Sequence, residues 1–165
     1  MPSASDVAVW DSVSGSPSSP LLDLNWQGIR LLETPFLGTL TIPGPAYTLT
    51  LGNAGIDMSA ADADLEIYSP YVSLTNVQPW NVGPGRLLTL YSENGPGTGA
   101  LRKTGAGTLR LYYSTAASHL NNSAVLGLAG GTVTLEGLSH AEIVGSTLVS
   151  DDATRITHTG SGLEL

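Results

Sequence analysis

Three histidines, His119, His140 and His158, stand 21 and 18 residues apart. In a chain built of coils of that length they would stack on one face, as a column able to bind a metal or to shuttle protons. No cysteine exists and no carboxylate recurs with them at ligand spacing, so the competing reading is three separate surface or turn histidines. Four aspartates offer a second kind of chemistry. Asp62 and Asp64 lie two apart, on one face of a strand of period two, and Asp151 adjoins Asp152. Paired carboxylates would serve as the acid and base of a polysaccharide-cleaving enzyme. The same residues beside turns would cap backbone N–H groups instead.

Gly52-Asn-Ala-Gly-Ile-Asp57 approaches the glycine- and aspartate-rich turn that binds calcium in repeat β-rolls, yet it occurs once, and such sites take oxygens from neighbouring copies. The competing reading is a plain turn. Trp10, Trp26 and Trp80, with Tyr68, Tyr71, Tyr91, Tyr112 and Tyr113, would stack on sugars or fill a core, a cap or an interface. No Gly-x-Ser-x-Gly elbow, phosphate loop or dinucleotide fingerprint is present. The residues name no catalytic set, so a non-enzymatic protein with no cofactor and no metal is expected.

Whatever these residues do, 165 positions must hold them, enough for one domain with a sizeable core. Asp and Glu number 14 against 6 Lys and Arg, a formal charge of -8. The cations, Lys103 with Arg30, Arg86, Arg102, Arg110 and Arg155, are scattered, so the footprint for gripping a phosphate backbone is missing and nucleic acid is not an expected partner. Without cysteine the fold must rest on packing and hydrogen bonds. No run of 18 apolar residues occurs, so membrane insertion by a helix is not expected. The opening Met-Pro-Ser-Ala-Ser-Asp lacks the basic and apolar regions of a secretory signal, which points away from export.

Twenty glycines and ten prolines deny the chain a long amphipathic helix. What recurs is short alternation: Gly38-Thr-Leu-Thr-Ile42, Tyr47-Thr-Leu-Thr-Leu51, Asp64-Leu-Glu-Ile67, Arg86-Leu-Leu-Thr-Leu90, Gly107-Thr-Leu-Arg-Leu111, Thr132-Val-Thr-Leu135 and Gly162-Leu-Glu-Leu165. Each reads as a strand bounded by turn residues such as Gly83-Pro-Gly85 and Gly130-Gly131. The class is all-β. Wide, unequal spacing of the strands and scarce bulky aromatics favour a parallel β-solenoid, right-handed, over a β-sandwich or jelly roll. Leu88, Leu90, Leu109, Leu111, Val133 and Leu135 are expected to alternate, with one set in the bore. Residues 1–20 read as an arm and linker, with Val7-Ala-Val-Trp10 as one short strand, and residues 21–165 as a single solenoid domain.

Leu101-Arg-Lys-Thr-Gly-Ala-Gly-Thr-Leu-Arg-Leu111 resembles the core of the autotransporter-associated β-strand repeat, a leucine followed by Lys-Thr-Gly-x-Gly-Thr-Leu, a polar residue and a leucine. Trp80-Asn-Val-Gly-Pro-Gly-Arg-Leu-Leu-Thr-Leu90 is similar to the coil that precedes it in such proteins, and Arg155-Ile-Thr-His-Thr-Gly-Ser-Gly-Leu-Glu-Leu165 to a second copy. The resemblance implies β-helical coils and membership of long surface proteins. Gly105 and Gly107 also have a physical reason, as corner positions where a Cβ would clash with the neighbouring coil.

These readings combine into one expectation: a structural β-helical subunit that binds other protein subunits, a virion accessory such as a capsid cement or tail fibre. The alternatives are a segment of a bacterial surface adhesin and a polysaccharide-cleaving β-helix. Self-association is expected, as a trimer with residues 1–20 reaching a neighbour, because closed symmetry covers open coil ends.

Overall fold

The computed structural model describes residues 2–11, 23–33, 38–42, 48–69, 71–91, 100–113, 125–137, 148–150 and 154–159. Its strands are β1 (Val7–Trp10), β2 (Leu24–Leu31), β3 (Thr39–Ile42), β4 (Thr48–Met58), β5 (Asp64–Ile67), β6 (Tyr71–Leu74), β7 (Gln78–Val82), β8 (Leu87–Leu90), β9 (Ala100–Thr104), β10 (Thr108–Tyr113), β11 (Val125–Ala129), β12 (Gly131–Gly137), β13 (Leu148–Ser150) and β14 (Thr154–Thr159). Every strand pairing is parallel and joins one coil to the next. The chain is a parallel β-solenoid, and a sandwich is ruled out by the same pairings.

Two sheets run along it, one in the order β1-β2-β4-β7-β9-β11-β13 with β6 also on β4, the other in the order β3-β5-β8-β10-β12-β14. β2 and β4 pass through a corner. β6 pairs with the first part of β4 and β7 with its last part, so the larger sheet bends into two faces and the smaller sheet makes the third. Gly55 sits at that corner with φ of 64°, and a Cβ there would strike the Pro79 carbonyl oxygen of the coil above.

Period two sends alternate residues inward, where identical positions stack. On the third face the bore holds Leu40, Leu65, Leu88, Leu109 and Val133 in one column, and Ile42, Ile67, Leu90, Leu111 and Leu135 in the next, all buried. The six residues expected to alternate therefore all point into the bore, since residues two apart share a side; Thr89, Arg110 and Thr134 lie between them. On the second face Ala8, Ile29, Ile56, Trp80, Lys103 and Leu128 form one inward column. On the first face Trp26, Leu51 and Leu74 do the same.

Val7–Trp10, read from the sequence as a strand in an arm, pairs in parallel with β2 of its own chain and so forms the first rung of the second face. Residues 12–20 and the strand expected over Gly162–Leu165 lie outside the described residues.

Two polar side chains of the bore, Gln78 and Lys103, are bonded to backbone oxygens, whereas the buried Trp26 Nε1 has no partner among the described residues. Gln78 donates from Nε2 to the Leu51 oxygen at 3.1 Å and accepts from Trp80 Nε1 at 2.9 Å. Lys103, fully buried, donates from Nζ to the oxygens of Thr104 at 2.7 Å, Gly105 at 2.9 Å and Gly130 at 3.2 Å. One ammonium thus serves the corners of two successive coils. Burial pushes it down to about 8. Gly105, with φ of 76°, turns the corner where a Cβ would collide with the Val82 oxygen, and Gly107 faces the Gly83 oxygen in the same way. Both glycines stand where the sequence placed a corner.

Candidate functional site

The second face carries a groove of about 430 Å3, within the roughly 300–1,000 Å3 of ligand clefts. It is built by register. Val9, Arg30, Asp57, Asn81 and Thr104 come from five successive coils, yet the pairings place them side by side on the outward surface. Val7 and Pro79 flank them one column away, because Gly28 and Gly55 fill the intervening positions and have no side chains to stand above the sheet.

The polar centre of the groove is fixed. Ser59 donates to Asp57 Oδ1 from its backbone nitrogen at 3.1 Å and its hydroxyl at 2.7 Å, and Arg30 Nε donates to Asp57 Oδ2 at 3.2 Å. Burial pushes the Asp57 carboxyl up, but the Ser59 donors and the Arg30 charge outweigh it, and the group is held below its usual range. A carboxylate kept ionised in this way does not offer a proton near neutrality. The remaining guanidinium nitrogens of Arg30 make no hydrogen bond among the described residues, and the side chain is half exposed. The groove therefore presents a positioned donor fork, an amide and a hydroxyl beside apolar walls, a surface for recognition rather than for acid–base work.

Of the aspartates singled out in the sequence, Asp64 serves the scaffold with its side chain. β5 begins at Asp64, so Asp62 precedes the strand and the two do not share a strand face. Asp64 Oδ1 accepts the Leu87 N–H of the next coil at 2.9 Å, and Arg86 Nη1 donates to the Asp62 backbone oxygen at 2.6 Å. Asp23 accepts the Thr48 N–H at 2.8 Å in the same manner. Gly52–Asp57 is neither a calcium site nor a plain turn: it lies inside β4, with Asp57 committed to Ser59 and Arg30. Among the described residues no cluster of three His, Asp or Glu side chains could hold a metal.

His119, His140, Asp151 and Asp152 lie outside the described residues. His158 lies on β14 opposite Leu135. Coil length runs from 21 residues between Leu88 and Leu109 to 27 between Arg30 and Asp57, so spacing along the sequence does not by itself fix which residues stack.

Of the aromatics, Trp26 and Trp80 are core, with Trp10 edge-on to Trp26 at 6.0 Å between ring centroids. The outward tyrosines form a ladder on the third face, Tyr68 stacked on Tyr91 at 4.1 Å and 9°, and Tyr91 tilted against Tyr112 at 5.1 Å. Tyr68 and Tyr91 each spend one ring face on the other, a contact that helps hold successive coils together. A hydrogen bond with Tyr91 pushes the Tyr68 phenol up to about 12, with burial and the nearby Glu66 acting in the same sense.

Val7, Val9, Arg30, Ser59, Asn81 and Thr104 were not singled out as a set by the sequence. The only available signal was the alternation of each strand, which says that a residue faces outward and not which coil stands beside it.

No protein family, curated protein or solved structure matches the chain.

Proposed function

We propose that the chain is a non-enzymatic structural subunit that joins protein subunits through its second face. The observation that carries this reading is the groove itself. It gathers exposed Val7 and Val9, apolar Pro79 and an Arg30 fork steadied by Asp57, and the carboxylate within it is fixed in an ion pair instead of being poised to exchange a proton. The assembly we favour is a virion, with the chain as a capsid cement or tail-fibre component. The repeat-like segment over residues 101–111 supports the second reading, a segment of a bacterial surface adhesin.

Immunogold labelling of the producing cells and of purified particles tests the setting. Gold on capsids or tails is the expected result, and gold confined to the cell envelope favours the adhesin. Release of reducing ends from polysaccharide by the purified chain, abolished by Asp64→Asn, would overturn the non-enzymatic reading altogether.

A further inference from the structure

The outer edge of β1 is a row of backbone groups with a defined pattern. Gln27 N donates to the Asp6 oxygen at 2.9 Å and Leu32 N to the Trp10 oxygen at 2.9 Å. Since N–H and C=O of one residue point to the same side of a strand and alternate along it, residues 6, 8 and 10 face β2. Those of Val7 and Val9 face away from it. β1 ends its sheet, and among the described residues nothing pairs with that side.

Edge strands are usually guarded by charge, proline or a bulge. β1 reads Val-Ala-Val-Trp and contains none of these. Its start is instead built firmly: Ser3 donates to Asp6 Oδ2 from its nitrogen at 2.8 Å and its hydroxyl at 2.7 Å, and Asp6 N donates to the Ser3 oxygen at 3.0 Å. The valine side chains remain 40% and 45% exposed. An open, uncharged, well-anchored edge is a template for another strand.

The edge is also complementary to itself. Turn one copy about a two-fold axis through Ala8, and Val7 meets Val9 of the second copy while Val9 meets its Val7. Each such pair exchanges both backbone hydrogen bonds, the arrangement of hydrogen-bonded positions in an antiparallel ladder. The four valine side chains then lie together on the outward surface, over the end of the groove. The same register sets Asp6 opposite Trp10 and Asp11 opposite Ser5, so no acid faces an acid.

We infer that two copies of this chain join antiparallel through β1, with Val7 of one copy paired to Val9 of the other. The inference deepens the proposed function by naming the partner as a second copy. One edge accepts one strand, so this contact makes pairs, and a trimer would need a different surface. Because each copy carries a formal charge of -8, pairing strengthens as salt rises.

Sedimentation of the full chain tests it. At micromolar concentration in roughly 1 M salt, where the screening length is about 3 Å, a mass near twice 17.0 kDa is expected. Val9→Pro removes an N–H that points away from β2, so the fold keeps its internal bonds, whereas association weakens about tenfold or more. Val9→Lys does the same through charge, and unchanged circular dichroism and melting certify either variant as folded. The chain has no cysteine, which permits a register test. An oxidised mixture of Val7→Cys and Val9→Cys chains forms the mixed disulfide dimer, and each alone does not, because like positions lie too far apart to bridge. A monomer at every concentration overturns the inference. So does an oligomer, trimer included, that is insensitive to both Val9 variants. Neither result touches the immunogold and hydrolysis tests, so the broader structural reading stands or falls separately.

Discussion

Lys103 Nζ and the Gly130 carbonyl oxygen are 3.2 Å apart although 27 residues separate them along the chain. The bond ties the corner after β9 to the corner after β11, and the same ammonium also bonds Thr104 and Gly105. A cation stands in an inward column whose neighbours are Trp80 and Leu128.

Lys103→Met keeps much of the stem and removes every donor. Three carbonyls then lose their shared partner inside the fold, and a loss of about 2 kcal/mol is expected, the order of a buried polar group left unpaired. Denaturant melts would show a lower midpoint with an unchanged slope.

The alkaline limb of stability has two opposed parts. Lys103 titrates near 8 in the fold against an ordinary 10.5, so between these values the unfolded chain holds the extra proton and stability rises with pH; that gain is complete above 10.5 and is lost as the pH falls through about 8. Tyr68 is raised to about 12 from 10.0, so its contribution is complete below 10 and is lost as the pH climbs through about 12. Melting temperature should climb from pH 8 to about 10 and then fall. Lys103→Met should abolish the climb alone.

Asp57 governs the acid side of the groove. Its pKa is held below the ordinary 3.8, so its contribution is present above that value and is lost as the pH falls through the lower folded one. Asp57→Asn should cost about 1 kcal/mol at neutral pH, since it weakens both the Ser59 donors' acceptor and the Arg30 pair. Acid titration of the variant should show a flatter decline below pH 3.8.

Tyr91→Phe removes the hydroxyl that raises the Tyr68 phenol while leaving the stacked ring. Phenolate absorbance should then titrate closer to the ordinary 10.0 for Tyr68. An unchanged titration near 12 would mean that burial and Glu66 hold the phenol up without Tyr91.

Two glycines should answer alanine in opposite ways. Gly105→Ala forces a side chain into left-handed backbone and against the Val82 oxygen, and about 3 kcal/mol should be lost. Gly127→Ala meets only ordinary contact, 3.5 Å from Arg102 Cγ, and should change stability by less than about 0.5 kcal/mol. Thermal melts of the pair separate a corner that needs glycine from a strand that merely contains it.

Most of the third face was open to reading because β3, β5, β8, β10 and β12 each carry their own alternation, as in Gly107-Thr-Leu-Arg-Leu111 against β10, whereas β14 was not read as a strand. Half of the second face was hidden. β7 contains Gln78 and Pro79, residues that do not mark a strand, and Gln78 points inward only because the Leu51 oxygen and Trp80 indole are there to meet it. Lys103 follows Leu101 at period two, so its inward position was written in the pattern, but the carbonyls that make it tolerable belong to corners 2 and 27 residues away. The groove was less legible still. Arg30 and Asp57 are 27 residues apart, Arg110 and Thr89 only 21, and nothing local reveals how many residues a corner will absorb.

All strand pairs in this solenoid link one coil to the next, with their hydrogen bonds running along its axis. A pull along that axis therefore loads a single rung at a time, peeling the stack from its end like tape, whereas a pull along the strands must shear a whole ladder at once. Each axial release frees one coil. For the 23 residues from Trp80 to Lys103 that is about 80 Å of chain at the extended rise per residue. The molecule should be soft and stepwise when stretched end to end and stiff when strained across its faces.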